Sequence, residues 1–235
     1  MKHLNNYITE YIIKKKLDKP IYSGTPILYT PKNNGELVDL IIKLLNDDET
    51  NLNCIDVSNV KVMQNLFDYV NDNVIVKDID ISEWDVSNVF DMTEMFTNCN
   101  KFDCDLSKWD VSKVKYMDNM FNECTNFDCD LSNWDVSKVE NMFAMFDSCK
   151  NFTGEGLENW NVSNVDNMSN MFFNCKKFDC DLSNWNISNV EFMERMFYNC
   201  KKFKVDCLEN WKITTKVSKR NIFYGIKNTP SWYKK

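Results

Sequence analysis

Residues 105–127 read DLSKWDVSKVKYMDNMFNECTNF. The same pattern, D-L-S-x-W-D-V-S-x-V-x-x-M-x-x-M-F-x-x-C-x-x-F, recurs along the chain. Trp84, Trp109, Trp134, Trp160, Trp185 and Trp211 are spaced 25, 25, 26, 25 and 26 residues apart. In step with them run Met92, Met117, Met142, Met168 and Met193, and a second series, Met95, Met120, Met145, Met171 and Met196. Phe96, Phe121, Phe146, Phe172 and Phe197 follow directly, then Cys99, Cys124, Cys149, Cys175 and Cys200. A second phenylalanine closes each unit. A fixed period of this length is the signature of stacked supersecondary units. The first unit is degenerate, with Ile55 in the Trp position, and the last keeps Ile213, Ile222 and Phe223 but loses its Met and Cys. Decay at both ends is what terminal capping units look like.

The spacing inside a unit predicts local structure. At ~100° per residue, the Val, both Met, the Phe and the Cys fall within about 120° of arc, as in an amphipathic helix. The Ser two residues before the Val suits an N-cap. Ser137–Glu140, Ser163–Asp166 and Ser188–Glu191 have capping-box spacing. Short helices are therefore expected over residues 88–98 and their equivalents. The F-D-C-D-L-S-x-W segment, too short for another helix, reads as a short strand. The expected fold class is α/β: a leucine-rich-repeat-like solenoid of about seven rungs of strand plus helix, stacked ~4.8 Å apart. Leu37, Leu40, Ile41, Leu44 and Leu45 predict an N-terminal capping helix ending at Asn46–Asp47, with residues 1–20 as a second helix or an arm. The expected division is 1–50 arm and capping helix, 51–211 repeat, and 212–235 degenerate capping unit with a basic tail.

Composition excludes several chemistries. The 235 residues carry a net charge of −7, ten Cys, twelve Met and seven Trp, but one His and five Gly. A single histidine, His3, argues against His-based catalysis or ligation. Neither a GxGxxG nor a Walker pattern is present. No apolar run reaches the ~18 residues of a membrane span, and the first 20 residues lack a signal-peptide pattern. A non-secreted, intracellular protein with reduced thiols is therefore expected.

The motif L-S-x-W-D-V-S-x-V-x-x-M-x-x-M-F-x-x-C-x-x-F resembles the repeat of BspA-like leucine-rich-repeat surface proteins. Related repeats occur in mycoplasma lipoprotein-associated proteins and in giant DNA viruses. The resemblance covers about Leu52 to Phe223. It implies a leucine-rich-repeat-like solenoid with no catalytic signature to carry over, and points to a giant-virus or other non-secreted member acting in the host cytoplasm or virion.

The remaining constellations divide between structure and chemistry. Cys99/Cys104, Cys124/Cys129 and Cys175/Cys180 are C-x4-C pairs, at the edge of the spacing of a zinc knuckle. A buried thiol ladder is favoured, with inter-rung disulfides or zinc as alternatives. The columns Asp85, Asp110, Asp135 and Asp105, Asp130, Asp181 continue as Asn, Gly or Cys. That substitution favours turn hydrogen bonds over calcium, which needs several carboxylates. No catalytic centre, cofactor site or metal site is expected, because equivalent residues recur in every unit without a unique centre. No small-molecule substrate follows either, and the acidic array argues against nucleic acid.

Aromatics off the apolar arc differ from unit to unit: Phe90, Tyr116, Phe143, Phe173, Phe192 and Tyr198. Core packing does not demand them, and exposed aromatics can anchor a partner. The sequence thus suggests a non-enzymatic scaffold for protein–protein interaction. Self-assembly of the acidic array on the basic tail, as in a virion component, is the alternative.

Overall fold

The computed structural model describes residues 27–71 and 78–233. The proposed helix or arm over residues 1–20 lies outside them. Helix α1 (Asn34–Asn46) forms where the Leu37-to-Leu45 spacing lies. The Asn33 side chain accepts from the Glu36 N–H at 3.0 Å, and the Glu36 carboxylate accepts from the Lys32 N–H at 2.9 Å. Leu37, Ile41 and Leu44 are its buried face. It packs on α2 (Leu66–Asn71), which buries Leu66, Phe67 and Val70.

The expected α/β leucine-rich-repeat-like solenoid of strand-plus-helix rungs does not form. Among the described residues, helix is limited to α1, α2 and three 3₁₀ turns: Leu52–Cys54, Leu157–Asn159 and Val205–Leu208. Among the same residues no sheet is present, only isolated bridges. Residues 88–98, expected as a helix, run through consecutive turns, and residues 102–109, expected as a strand, pair with nothing as a strand.

Hydrogen bonding explains the difference. The Met95 N–H donates to Met92 O at 3.2 Å, Cys99 to Phe96 at 3.0 Å and Phe102 to Cys99 at 3.0 Å, each closing a turn over three residues. The alternate N–H groups point out of the unit. Met92, Glu94, Phe96 and Asn98 donate to the carbonyls of Tyr116, Asp118, Met120 and Asn122 at 3.0, 2.9, 2.9 and 2.9 Å. An α-helix would have sent them to carbonyls four residues back. Glu94 and Asn98 have φ of 56° and 62°, and the same two positions are left-handed in the later units, at Asn119 and Glu123, Ala144 and Ser148. Left-handed residues do not belong inside an α-helix. Turns closed at three residues, the first two with a left-handed residue at their third position, reproduce the 3–4 spacing of apolar residues. The spacing is therefore shared by helix and turn, and a helix of about 11 residues is marginal by itself.

Each unit is thus a tier of turns laid on the next. Single parallel bridges link Val62, Asp91, Tyr116, Asn141, Asn167, Phe192 and Ser218 in succession, one per tier, on the segment expected to be helical. Along the middle of the stack run Phe96, Phe121, Phe146, Phe172, Phe197 and Phe223, with ring centroids 5.4–5.8 Å apart. The outer phenylalanines pack on them, as Phe102 on Phe96 at 4.2 Å.

The polar core atoms follow the same register. The indole N–H of Trp109 donates to Ile81 O at 3.1 Å, Trp134 to Leu106 at 3.0 Å and Trp185 to Leu157 at 2.8 Å, always to the preceding tier. Trp232, outside the period at 21 residues from Trp211, makes the same bond to Leu208 at 2.7 Å. The thiols of Cys124, Cys149 and Cys175 donate to Phe96, Phe121 and Phe146 carbonyls at 2.9 Å each. All ten cysteines are free. Asp85, Asp110, Asp135, Asn161 and Asn186 each accept from the N–H of the serine two residues on, at 3.0–3.2 Å. That bond is an Asx turn. The serines expected as helix N-caps serve it instead.

The 26-residue spacing between Trp134 and Trp160 is absorbed at Gly156 and the 3₁₀ turn after it. Gly156 has φ of +90°, and a Cβ there would lie 2.2 Å from the Ser132 backbone nitrogen. Only glycine fits a left-handed residue pressed this closely on its neighbour.

Candidate partner-binding surface

The stack fixes outer positions as firmly as inner ones. The residue directly after each central phenylalanine is Thr97, Asn122, Asp147, Phe173, Tyr198 or Tyr224. The Phe173 N–H closes a turn on Asn170 O at 2.9 Å, Tyr198 on Arg195 at 2.9 Å and Tyr224 on Asn221 at 3.1 Å. Their carbonyls accept from Ser148, Asn174 and Asn199 of the tier before, at 2.7, 2.8 and 2.7 Å. With the backbone held in register, the three side chains superpose. Phe173 and Tyr198 stack at 4.6 Å and 20°, and Tyr198 and Tyr224 at 4.5 Å and 14°.

Of the six aromatics singled out in the sequence, the structure brings together Phe173 and Tyr198. Tyr116 and Phe192 lie on the bridge column, separated by Asn141 and Asn167. Phe90 sits one tier before Tyr116, its carbonyl accepting from the Lys115 N–H at 2.9 Å. Phe143 is half-buried on another column, its carbonyl accepting from Asn119 at 2.7 Å. Phe90, Tyr116 and Phe192 are exposed, whereas Phe173 and Tyr198 are half-buried by their own stack. Tyr224, 60% exposed, was missed as a member of the row. The signal was available, because Tyr224 follows Phe223 as Tyr198 follows Phe197.

Charge changes with the tiers as well. The two residues after the Cys are Asn100–Lys101, Thr125–Asn126 and Lys150–Asn151 in the early tiers, but Lys176–Lys177 and Lys201–Lys202 in the late ones. In the earlier tiers, burial raises the Asp118 carboxyl above its ordinary range. Burial and then the charges of Asp118 and Asp68 raise Glu94. Asp147, next in line before Phe173, is pushed up to about 6 by burial, against the Ser148 hydroxyl that donates to it at 2.8 Å and with the charge of Glu123.

The thiols show no activation. Burial, with a smaller push from Asp68, raises Cys99 to about 12, and burial raises Cys129 to about 11. A nucleophilic cysteine needs the opposite shift. Among the described residues, no group of three or more His, Cys, Asp or Glu could hold a metal ion. No helix among them is long and apolar enough to cross a membrane.

Stacked tiers, a sealed aromatic core and an outer face that varies define a repeat protein. The chain belongs to the family DUF285, described as Mycoplasma protein of unknown function, whose model matches twice, over residues 41–156 and 129–233. No curated protein and no solved structure matches the chain.

Proposed function

We propose that the chain is a non-enzymatic repeat scaffold that binds another protein through its outer face. The observation that carries this reading is the stacked row Phe173–Tyr198–Tyr224. The core is complete without it, because the central phenylalanines are already buried at 0–4% exposure. Its rings occupy a position that holds Thr, Asn or Asp in the other tiers. Rigid aromatic side chains are typical interface anchors.

The ten free thiols favour a reducing compartment, so we place the protein inside a cell or a virion. The repeat motif supports a BspA-like relationship, and a viral source belongs to the same proposal. Assembly of copies through acidic array and basic tail is a second reading, supported by the seven basic and no acidic residues of 212–235. Light scattering at low and high salt separates the two: a salt-sensitive oligomer favours self-assembly, a monomer at both favours the scaffold. For the scaffold, photo-crosslinking from position 177 in the source cell should trap a protein partner. Tyr198→Ser should abolish the product while leaving the fold intact. An unchanged product in that variant removes the row as the binding element.

A further inference from the structure

Five successive tiers, from residue 92 to residue 199, each send four alternate N–H groups to the tier that follows. In the last of these, Met193, Arg195, Phe197 and Asn199 donate to Ser218, Arg220, Ile222 and Tyr224 at 2.8, 3.0, 3.1 and 2.7 Å. The equivalent donors one tier on are the N–H groups of Lys219, Asn221, Phe223 and Gly225. Among the described residues these four have no acceptor. The apolar core is nevertheless closed here, because the rings of Trp232 and Tyr233 lie 5.7 and 5.2 Å from that of Phe223. Side chains seal this end while its backbone edge stays open.

The opposite end is finished differently. There α1 packs on α2, and the Asn34 amide donates to Gln64 O at 2.8 Å. The Gln64 carbonyl of that end is thus already taken, and a second copy would meet the donor row with an incomplete acceptor edge. Exposed cations outnumber the carboxylates around the row: Lys212, Lys216, Arg220 and Lys227 are exposed and Lys219 half-exposed, while the carboxylates of Glu194 and Glu209 accept from the hydroxyls of Ser218 and Ser231. The outward face of Tyr224 ends the aromatic row beside it.

We infer that this edge docks an extended, acid-rich segment of a partner protein, which adds to the stack as one more strip of backbone. Alternate carbonyls of the segment accept from Lys219, Asn221, Phe223 and Gly225. Its carboxylates face Lys219, Arg220 and Lys227, and a planar side chain covers Tyr224. Main-chain hydrogen bonds of this kind give affinity, and flanking side chains give selectivity. The inference rests on the scaffold reading and names the class of partner.

The test uses the full chain and a displayed library of 12-residue peptides. Selection should enrich Asp- and Glu-rich sequences. A synthetic copy of an enriched peptide should slow amide exchange at 219, 221, 223 and 225, and leave 220, 222 and 224 unchanged. The double variant Lys219→Glu, Arg220→Glu should bind that peptide at least ten-fold more weakly at an unchanged melting temperature. No enrichment, enrichment of neutral or basic peptides, or protection away from 219–225 overturns the inference. Concentration-dependent protection of the row without peptide assigns it to a second copy and also overturns it. A crosslinked cellular partner that leaves exchange at 219–225 untouched sinks the docking edge alone. Peptide binding in a cell that yields no protein partner sinks the scaffold reading.

Discussion

Thr97, Asn122 and Asp147 in the early tiers stand where Phe173, Tyr198 and Tyr224 stand in the late ones. Beneath both sets the central phenylalanines stack at nearly the same separation, 5.4–5.7 Å for the early pairs and 5.8 Å for the late. One outer position therefore turns from polar or acidic to aromatic with no change in the core. The core sets register and leaves the outer position free to vary from tier to tier.

The comparison breaks most visibly if the core is not shared. Phe121→Ala and Phe172→Ala should each cost about 3–5 kcal/mol in urea unfolding, since both remove a fully buried ring that the stack cannot replace. A much smaller loss at Phe172 would mean that the outer aromatic row carries stability in the late tiers.

Asp147 marks the boundary between the two regions. Its carboxyl titrates near 6 in the folded protein, above its ordinary value, so folding favours the neutral form. Stability should be full below the ordinary value of 3.8, fall as the pH rises from there through about 6, and level off above it, losing on the order of 1–2 kcal/mol once solvent screening is allowed for. Asp147→Asn should remove that slope between pH 4 and 7 and melt higher than the parent at pH 7.

Tyr198→Ser tests whether the row serves binding more than folding. It should cost about 0.5–1.5 kcal/mol, the worth of exposed ring stacking, while removing the crosslinked partner. A loss as large as that for Phe172→Ala would place the row in the core.

The smallest effect has the sharpest sign. Arg195, exposed, sits at φ 55°. A left-handed residue other than glycine costs roughly 1–2 kcal/mol, and glycine's extra unfolded-state entropy offsets part of it. Arg195→Gly should therefore stabilise by about 0.5–1 kcal/mol. In the helix expected from the spacing it would destabilise by about 1 kcal/mol.

That sign shows where the sequence was legible. Trp84 to Trp211, both Met series and the Phe and Cys columns were visible as core positions, and all of them are buried. Their 3–4 spacing was ambiguous, because turns that contain a left-handed residue reproduce a helical period. Asn65, Asn98, Asn119, Asn170, Asn174 and Asn199, all left-handed, carried the missed signal. Asparagine tolerates that region far better than most residues. The aromatic row was half legible: Phe173 and Tyr198 were singled out, but the stacking that joins them to Tyr224 is a property of tier register. The donor row at 219–225 had no signature in residue type at all, since it consists of backbone.

The sequence by itself determined the period and the buried columns, because side-chain chemistry repeated at a fixed interval is written into residue identity. Tertiary structure decided whether each unit became helix or turns. The outcome depends on where alternate N–H groups find carbonyls, and those carbonyls lie about 25 residues away, as for Met92 and Tyr116. Local periodicity holds no information about an acceptor that only the next tier supplies.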